Sequence, residues 1–322
     1  MLDKHKKIIV WGAKLDTGHT HAFTHNGFYR AGKYIGVDTY WLDNRDNVSP
    51  DFFDDALVIT EHFIATTIPV SNNLPLRKSS TYIVNYLGNK GNNADHYLNK
   101  VGRLIDLRFK NDWDDANWYY KFEPWKYERI PNSVSFYESL STWDNIYMNW
   151  ATDLLPSEID FQTRHTPFKE PHYAMFCGTI REDNKNAFEP FIRECNKNNI
   201  PFMYNNPWQN QLSSDDMRKW IIESFLPLEV RADFHLKNGY IPCRSIKNVS
   251  YGALGLTNSK AVFDFFEQEI AYSPDPAELF YIAQKMQHDP RTKNLIYNQM
   301  RNVKQKHTYV HRVMDMIYVC NN

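Results

Sequence analysis

The sequence predicts an α/β protein made of two doubly wound units facing across a cleft, with a helical C-terminal tail. Two observations predict it. An apolar run, a glycine, a helix-like stretch and a second apolar run follow one another within the first ~40 residues, as a βαβ unit requires. A second series of the same kind starts at residue 173. The chain has 322 residues, a length that suits two domains of ordinary size.

The elements follow in order. Residues 7–11 end in the run IIVW and read as a buried first strand closed by Gly12. HAFTHNGFYRAGKYIG reads as a helix with Phe23, Phe28, Ala31 and Ile35 on one side, ended by Gly36. VDTYWL, ALVIT and TYIVNYL read as further strands. Residues 89–117 are polar and rich in Asn and Asp, WYYKFEPWKY is ambiguous, and VSFYES reads as a strand. The broken, Pro-containing stretch near 155–170 is the expected linker, between a first domain of residues 1–160 and a second of 165–290. In the second series YAMFCGTI and IPFMYN read as strands, with a helix between them that buries Phe188, Phe191, Ile192 and Cys195. SSDDMRKWIIESFL reads as a capped helix, LEVRADF as a strand, and PCRSIKNVSYGALG as a helix started by Pro242. Residues 291–322 read as helices that pack back on the first domain.

Composition narrows the function. Thirty-seven basic residues against 38 acidic ones give a net charge of -1, which argues against a duplex nucleic-acid binder. The four cysteines fit no zinc spacing and read as reduced thiols of a cytoplasmic protein. The opening MLDKHKKIIVWG has too short an apolar run for a secretory leader. No stretch approaches the roughly 20 apolar residues of a spanning helix, so any membrane contact is expected to be peripheral.

Five segments carry residues suited to chemistry. GAKLDTGHTHAFTHNG, residues 12–27, holds Asp16, His19, His21 and His25 beside glycines that allow close backbone approach. Its histidines can accept a proton near neutral pH, or simply solvate a helix start. It is not a dinucleotide-binding glycine fingerprint. His21 and His25 would share a helical face, but no nearby residue completes a zinc site. LVITEH places Glu61 at the carboxyl end of a strand, where such sheets hold catalytic groups; the plain alternative is a helix cap. Asp112 and Asp114 form a short acidic pair that reads as a polar surface loop rather than a metal site. CGTIRED places Gly178 and Arg181 after the first strand of the second series, with Arg181 able to grip a phosphate bidentately.

The fifth segment, GYIPCRSIKNVSYGALGLTNS, is the most informative. Helical spacing aligns Arg244, Lys247, Asn248 and Tyr251, and a helix start already favours anions, so the pattern suits a small diphosphate pocket. The turn after the next strand adds Asn258 and Ser259.

Together, GAKLDTGHTHAFTHNG, CGTIRED and GYIPCRSIKNVSYGALGLTNS resemble glycosyltransferases of the GT-B fold, most of all small enzymes of bacterial and large-virus glycan pathways. The resemblance implies an acceptor-binding first domain and a nucleotide-sugar-binding second domain. It implies transfer of a sugar from a UDP- or GDP-linked donor to a glycan or other hydroxyl acceptor, with no metal ion. Arg244 and Lys247, helped by Arg181, would hold the diphosphate, with Gly178, Asn248, Tyr251, Asn258 and Ser259 around the donor. Many relatives carry a glutamate in the donor helix; RSIKNVSYG has none, which leaves the ribose to Asn248, Ser250 or another segment. For an inverting reaction the base is expected to be Glu61, then His25 or His19, then Asp16. The alternatives are a nucleotide-sugar epimerase, another small-molecule enzyme of similar fold, or a non-catalytic glycan-binding protein.

Overall fold

The structure, a computed structural model, describes residues 2–15, 21–85, 87, 91–109, 122–165, 173–180, 182–206, 209–210, 212–224 and 226–322. It divides into two compact units, Met1–Asn149 with Thr308–Asn322, and Trp150–His307.

In the first unit, β1 (Lys7–Trp11) leads through α1 (Ala22–Tyr34) to β2 (Thr39–Leu42). Gly36, at φ +77°, closes the helix, a conformation that suits a residue without a Cβ. β3 (Ala56–Glu61) is followed by α2 (His62–Thr67), β4 (Thr81–Asn85), β5 (Arg103–Phe109), β6 (Glu128–Arg129), β7 (Phe136–Ser139) and β8 (Asp144–Met148). The sheet order is β2-β1-β3-β4-β5-β8-β7-β6. Its first six strands pair in parallel, while the β8–β7 and β7–β6 pairs are antiparallel. β3 and β4 are buried along their whole length, which is why both read as continuous apolar runs. Ile9 lies opposite Tyr40 on one side and Val58 on the other, and with Trp11, Phe53, Tyr82 and Leu104 they build the core of this face.

β5 lies inside residues 89–117, which are polar and rich in Asn and Asp and carry no strand signal of their own. Its central position is tolerated because buried Asp106 accepts from Arg108 Nε two residues along the same face, at 2.7 Å. Paired, the two charges no longer oppose burial of the strand.

The second unit begins with α3 (Pro156–His165), a helix where a linker was expected. β9 (Ala174–Cys177), α4 (Glu182–Lys197), β10 (Phe202–Asn205), α5 (Ser214–Ser224) and β11 (Leu226–Pro227) follow. LEVRADF is not one strand. β11 stops at Pro227, Glu229 bridges to the next strand, and α6 (Asp233–Lys237) begins. Then come α7 (Cys243–Ser250), β12 (Leu256–Thr257), α8 (Lys260–Phe265), β13 (Ala271–Tyr272), α9 (Pro276–Gln287) and α10 (Thr292–Lys306). β10, β9 and β11 pair in parallel, as do β12 and β13, and the parallel bridge from Glu229 to Thr257 joins the two sets. The order is therefore β10-β9-β11-β12-β13. As read from the sequence, α4 buries Phe188, Phe191 and Cys195.

The chain then re-enters the first unit as α11 (Tyr309–Asn321). The expected tail of residues 291–322 thus divides: α10 packs on α3 and α7, and α11 packs on α1. Fully buried Arg312 donates from Nε to the Asn149 carbonyl at 2.7 Å, and Asp315 accepts from the Ser133 and Ser135 hydroxyls. These bonds fix α11 to the end of the sheet. Among the described residues, no helix is long and apolar enough to cross a membrane.

Both units are doubly wound α/β layers. In each, the first strand has its successor on one side and its third strand on the other, so the winding reverses there. That reversal opens a crevice at the carboxyl ends of the two strands beside it.

Candidate functional site

In the first unit the crevice lies beyond β1 and β3. Glu61 is the last residue of β3, and His21 is the residue preceding α1. His21 Nδ1 and Glu61 Oε2 are 2.5 Å apart. His25, one helical turn on, lies with Nε2 3.4 Å from Glu61 Oε1, close enough for attraction but without hydrogen-bond geometry. Gly12 makes room for it: a Cβ there would sit 2.2 Å from His25 Cε1. The strand end, the glycine and the helix start are therefore one packed arrangement.

The electrostatics follow from burial. Burial alone would push the Glu61 carboxyl up, yet His21 first and His25 second outweigh it and hold the group far below the usual carboxylate range. When the His21 ring is neutral and donates from Nδ1 to Glu61, its lone pair is on Nε2. The Glu61 side chain is 4 % exposed and that of His21 is 25 % exposed. The imidazole is thus the part of this pair that a ligand can reach. Among the expected bases Glu61 ranks first, with His25 and His19 as runners-up and Asp16 behind them. Glu61 is instead buried and engaged by His21, and His25 is buried at 1 % exposure. Asp16 and His19 lie outside the described residues, as do Asp112 and Asp114.

In the second unit the crevice lies beyond β9 and β11. Gly178 directly follows β9, and a Cβ there would fall 2.3 Å from Arg244 Nη2. The Arg244 guanidinium lies 4.3 Å over the Phe176 ring and donates to Glu229 Oε2 at 3.2 Å. Glu229 also forms an ion pair with Arg231 through its other oxygen. Tyr204 stacks on Phe176, and its hydroxyl accepts from the Ile180 amide at 3.2 Å, which tethers the loop after β9. Arg181, next in the sequence, lies outside the described residues.

Of the remaining expected donor residues, Asn258 touches this group through the Arg231 backbone, while the others have partners elsewhere. Lys247 lies 3.6 Å from Asp153, and the Tyr251 hydroxyl is within 2.9 Å of both Asp153 oxygens. Tyr251 is fully buried, and burial followed by Asp153 pushes its phenol well above the ordinary value. Buried Asn248 donates to the Pro227 carbonyl at 3.1 Å, and Ser250 bonds Thr152 at 2.7 Å. Asn258 accepts from the Arg231 amide at 2.8 Å and donates to the Arg231 carbonyl at 2.9 Å. Ser259 caps α8, accepting from the Val262 amide. Spacing on a helix predicted one functional face; tertiary packing turned half of that face inward.

Two residues of these clusters, Glu229 and Arg231, have no place in the sequence reading, which names His21 beside His25 as a possible zinc or proton-accepting group but does not rank it as the base. The available signals were the shared helical face of His21 and His25, and the alternation of Glu229 and Arg231 at a strand exit.

No protein-family model matches the sequence, and no curated protein does. Among solved structures, an alpha-glucosyltransferase (AGT) in complex with UDP is similar to this chain, with a TM-score of 0.55 at 8 % sequence identity. The likeness covers 97 % of this chain and 99 % of that one. It is a likeness of fold, and the fold of this chain is GT-B-like: two doubly wound α/β units with helices at the C-terminus.

Proposed function

We propose that this protein is a glycosyltransferase that moves a sugar from a UDP- or GDP-linked donor to the hydroxyl of a glycan or similar acceptor, without a metal ion. One observation carries the reading. Each unit places charged or basic side chains at its own switch point, a histidine–carboxylate pair in the first and arginines in the second. The fold shared with a UDP-bound glucosyltransferase supports it. In this reading the first unit binds the acceptor and the second binds the nucleotide sugar.

The chemistry follows from the charges. A leaving nucleoside diphosphate carries off negative charge, and positive groups offset it. Arg244 takes that role, and Arg181, which follows β9 in the sequence, is kept as a further phosphate contact. The acceptor hydroxyl must lose its proton as it attacks an inverting centre. His21 Nε2 receives it, and Glu61 holds the ring and stabilises the imidazolium that forms. Asp16 and His19 remain substitutes for this role. A reduced, cytoplasmic setting for the four cysteines is part of this reading.

The test is a panel of UDP-, GDP-, CMP- and dTDP-sugars, followed by heat shift and by release of the nucleoside diphosphate, with and without EDTA. A UDP- or GDP-sugar should stabilise the protein and be turned over in excess EDTA. Binding without turnover against any acceptor would point to a glycan-binding protein, and a changed sugar on an intact nucleotide would point to an epimerase. A strict need for a divalent cation would remove the metal-free reading.

A further inference from the structure

Glu229, Arg231 and Arg244 form a cluster with an excess of positive charge. Glu229 is 1 % exposed, yet it faces two guanidiniums, one on each oxygen. Two positive groups against one negative group leave a net +1. The side chains of Arg231 and Arg244 are 15 % and 24 % exposed, so this charge lies mostly out of water. An unbalanced buried charge is costly, and an anionic ligand is what would balance it.

Each arginine is held on more than one side. Arg244 lies over Phe176, with its space secured by Gly178. The Arg231 guanidinium lies 5.3 Å from the Tyr240 ring centroid, and the Arg231 peptide is pinned at both its N–H and its C=O by the Asn258 side chain. Glu229 is fixed in turn by its bridge to Thr257 of β12. Three neighbouring strand ends, those of β9, β11 and β12, thus converge on one pair of forks. Planar guanidiniums held rigid lose little freedom on binding and match phosphate oxygens two at a time.

We propose that Glu229 is a positioning residue which holds Arg231 and Arg244 as a fixed pair, and that this pair grips the two phosphates of a nucleoside diphosphate. The inference rests on the reading of the chain as a nucleotide-sugar transferase, and it replaces Lys247, which is engaged with Asp153, by Arg231. It also gives a role to an acidic residue that the donor helix itself lacks: the acid acts from the preceding strand exit, through the arginines.

The test is calorimetric titration of UDP, GDP and inorganic pyrophosphate into the full chain and its variants, with the melting temperature of each recorded. Arg231→Ala and Glu229→Gln should each weaken binding of all three by about 10- to 100-fold. Their double variant should lose less than the product of the single losses, because Glu229 acts through the group that Arg231→Ala removes. Arg231→Lys, which keeps the charge but not the fork, should recover only a small part of the affinity. Lys197→Ala, at the far end of α4, should bind as the wild type does. If Glu229→Gln does not fold, Arg231→Ala and Arg231→Lys carry the test. Unchanged affinity in folded Arg231→Ala overturns the proposal, and so do single losses that multiply. Turnover of a nucleotide sugar by Arg231→Ala at wild-type affinity would sink the arginine pair and leave sugar transfer standing. Pyrophosphate bound through the pair with no nucleotide sugar turned over would do the reverse. A wild type that binds none of the three removes both.

Discussion

His21 Nδ1 and Glu61 Oε2 lie 2.5 Å apart although 40 residues separate them in the chain. One stands at the start of α1 and the other at the end of β3, and the parallel pairing of β1 with β3 brings the two ends together. The contact gives the first unit a histidine with a fixed tautomer and a partly exposed ring.

His21→Ala should lower turnover by about 100-fold or more, the usual contribution of a positioned base. Glu61→Gln should lower it too, because the ring loses its charged partner. Donor affinity should stay near that of the wild type in both, which steady-state kinetics over a range of donor and acceptor concentrations would read. Near-normal turnover by His21→Ala would take the base role from this residue.

Gly12→Ala should destabilise the first unit. Its Cβ would fall 2.2 Å from the buried His25 ring, which has little room to retreat. Overpacking of this kind costs roughly 1–3 kcal/mol. Chemical denaturation would measure it, and a variant as stable as the wild type would mean that the ring relocates freely.

Tyr251→Phe should act on stability rather than on the donor. The hydroxyl is a buried donor to Asp153, and its loss leaves that carboxylate short of one hydrogen bond. The expected cost is about 1–3 kcal/mol. Nucleotide affinity, measured well below the melting temperature, should be unchanged; a selective loss of donor affinity would restore Tyr251 to the donor site.

Stability should fall as the pH drops below about 6.5. Burial, and secondarily His96, lowers His62 from its ordinary value of 6.5, while burial and then Lys100 lower His96. The two rings lie 6.1 Å apart. A depressed histidine stays neutral in the folded chain while the unfolded chain takes up the proton, so acid favours unfolding between the folded value and 6.5. Melting temperatures of wild type and of His62→Gln at about pH 7.5 and about pH 5.5 would show it, with the smaller drop in the variant. An equal drop in both would assign the acid sensitivity elsewhere.

Much of the architecture was legible in one dimension. The buried runs at β1, β3, β4 and β9, the glycine stop of α1 and the inward stripe of α4 all follow from local periodicity and conformational preference. β5 was not legible, because Asp106 and Arg108 look like a loop until the ion pair that permits the burial of Asp106 is known. The break of LEVRADF into a short strand, a bridge and a helix was hidden for a similar reason: strand pairing decides where β11 stops, and no local signal marks it.

The same division holds at the candidate site. The sequence by itself marked the segments proposed to carry chemistry, since glycines, histidines and arginines at strand exits are local signals. It selected Glu61, His25, Gly178 and Arg244, all of which lie at the two switch points. Only the tertiary structure decided the partners. Glu61 meets His21 and is shielded by it, Glu229 joins Arg231 to Arg244, and Asp153 draws Lys247 and Tyr251 away from them. Periodicity reports which face of a helix or strand is apolar, whereas the pairing of charges depends on which strand lies beside which. In a doubly wound sheet, that order is set by long-range packing between segments tens of residues apart.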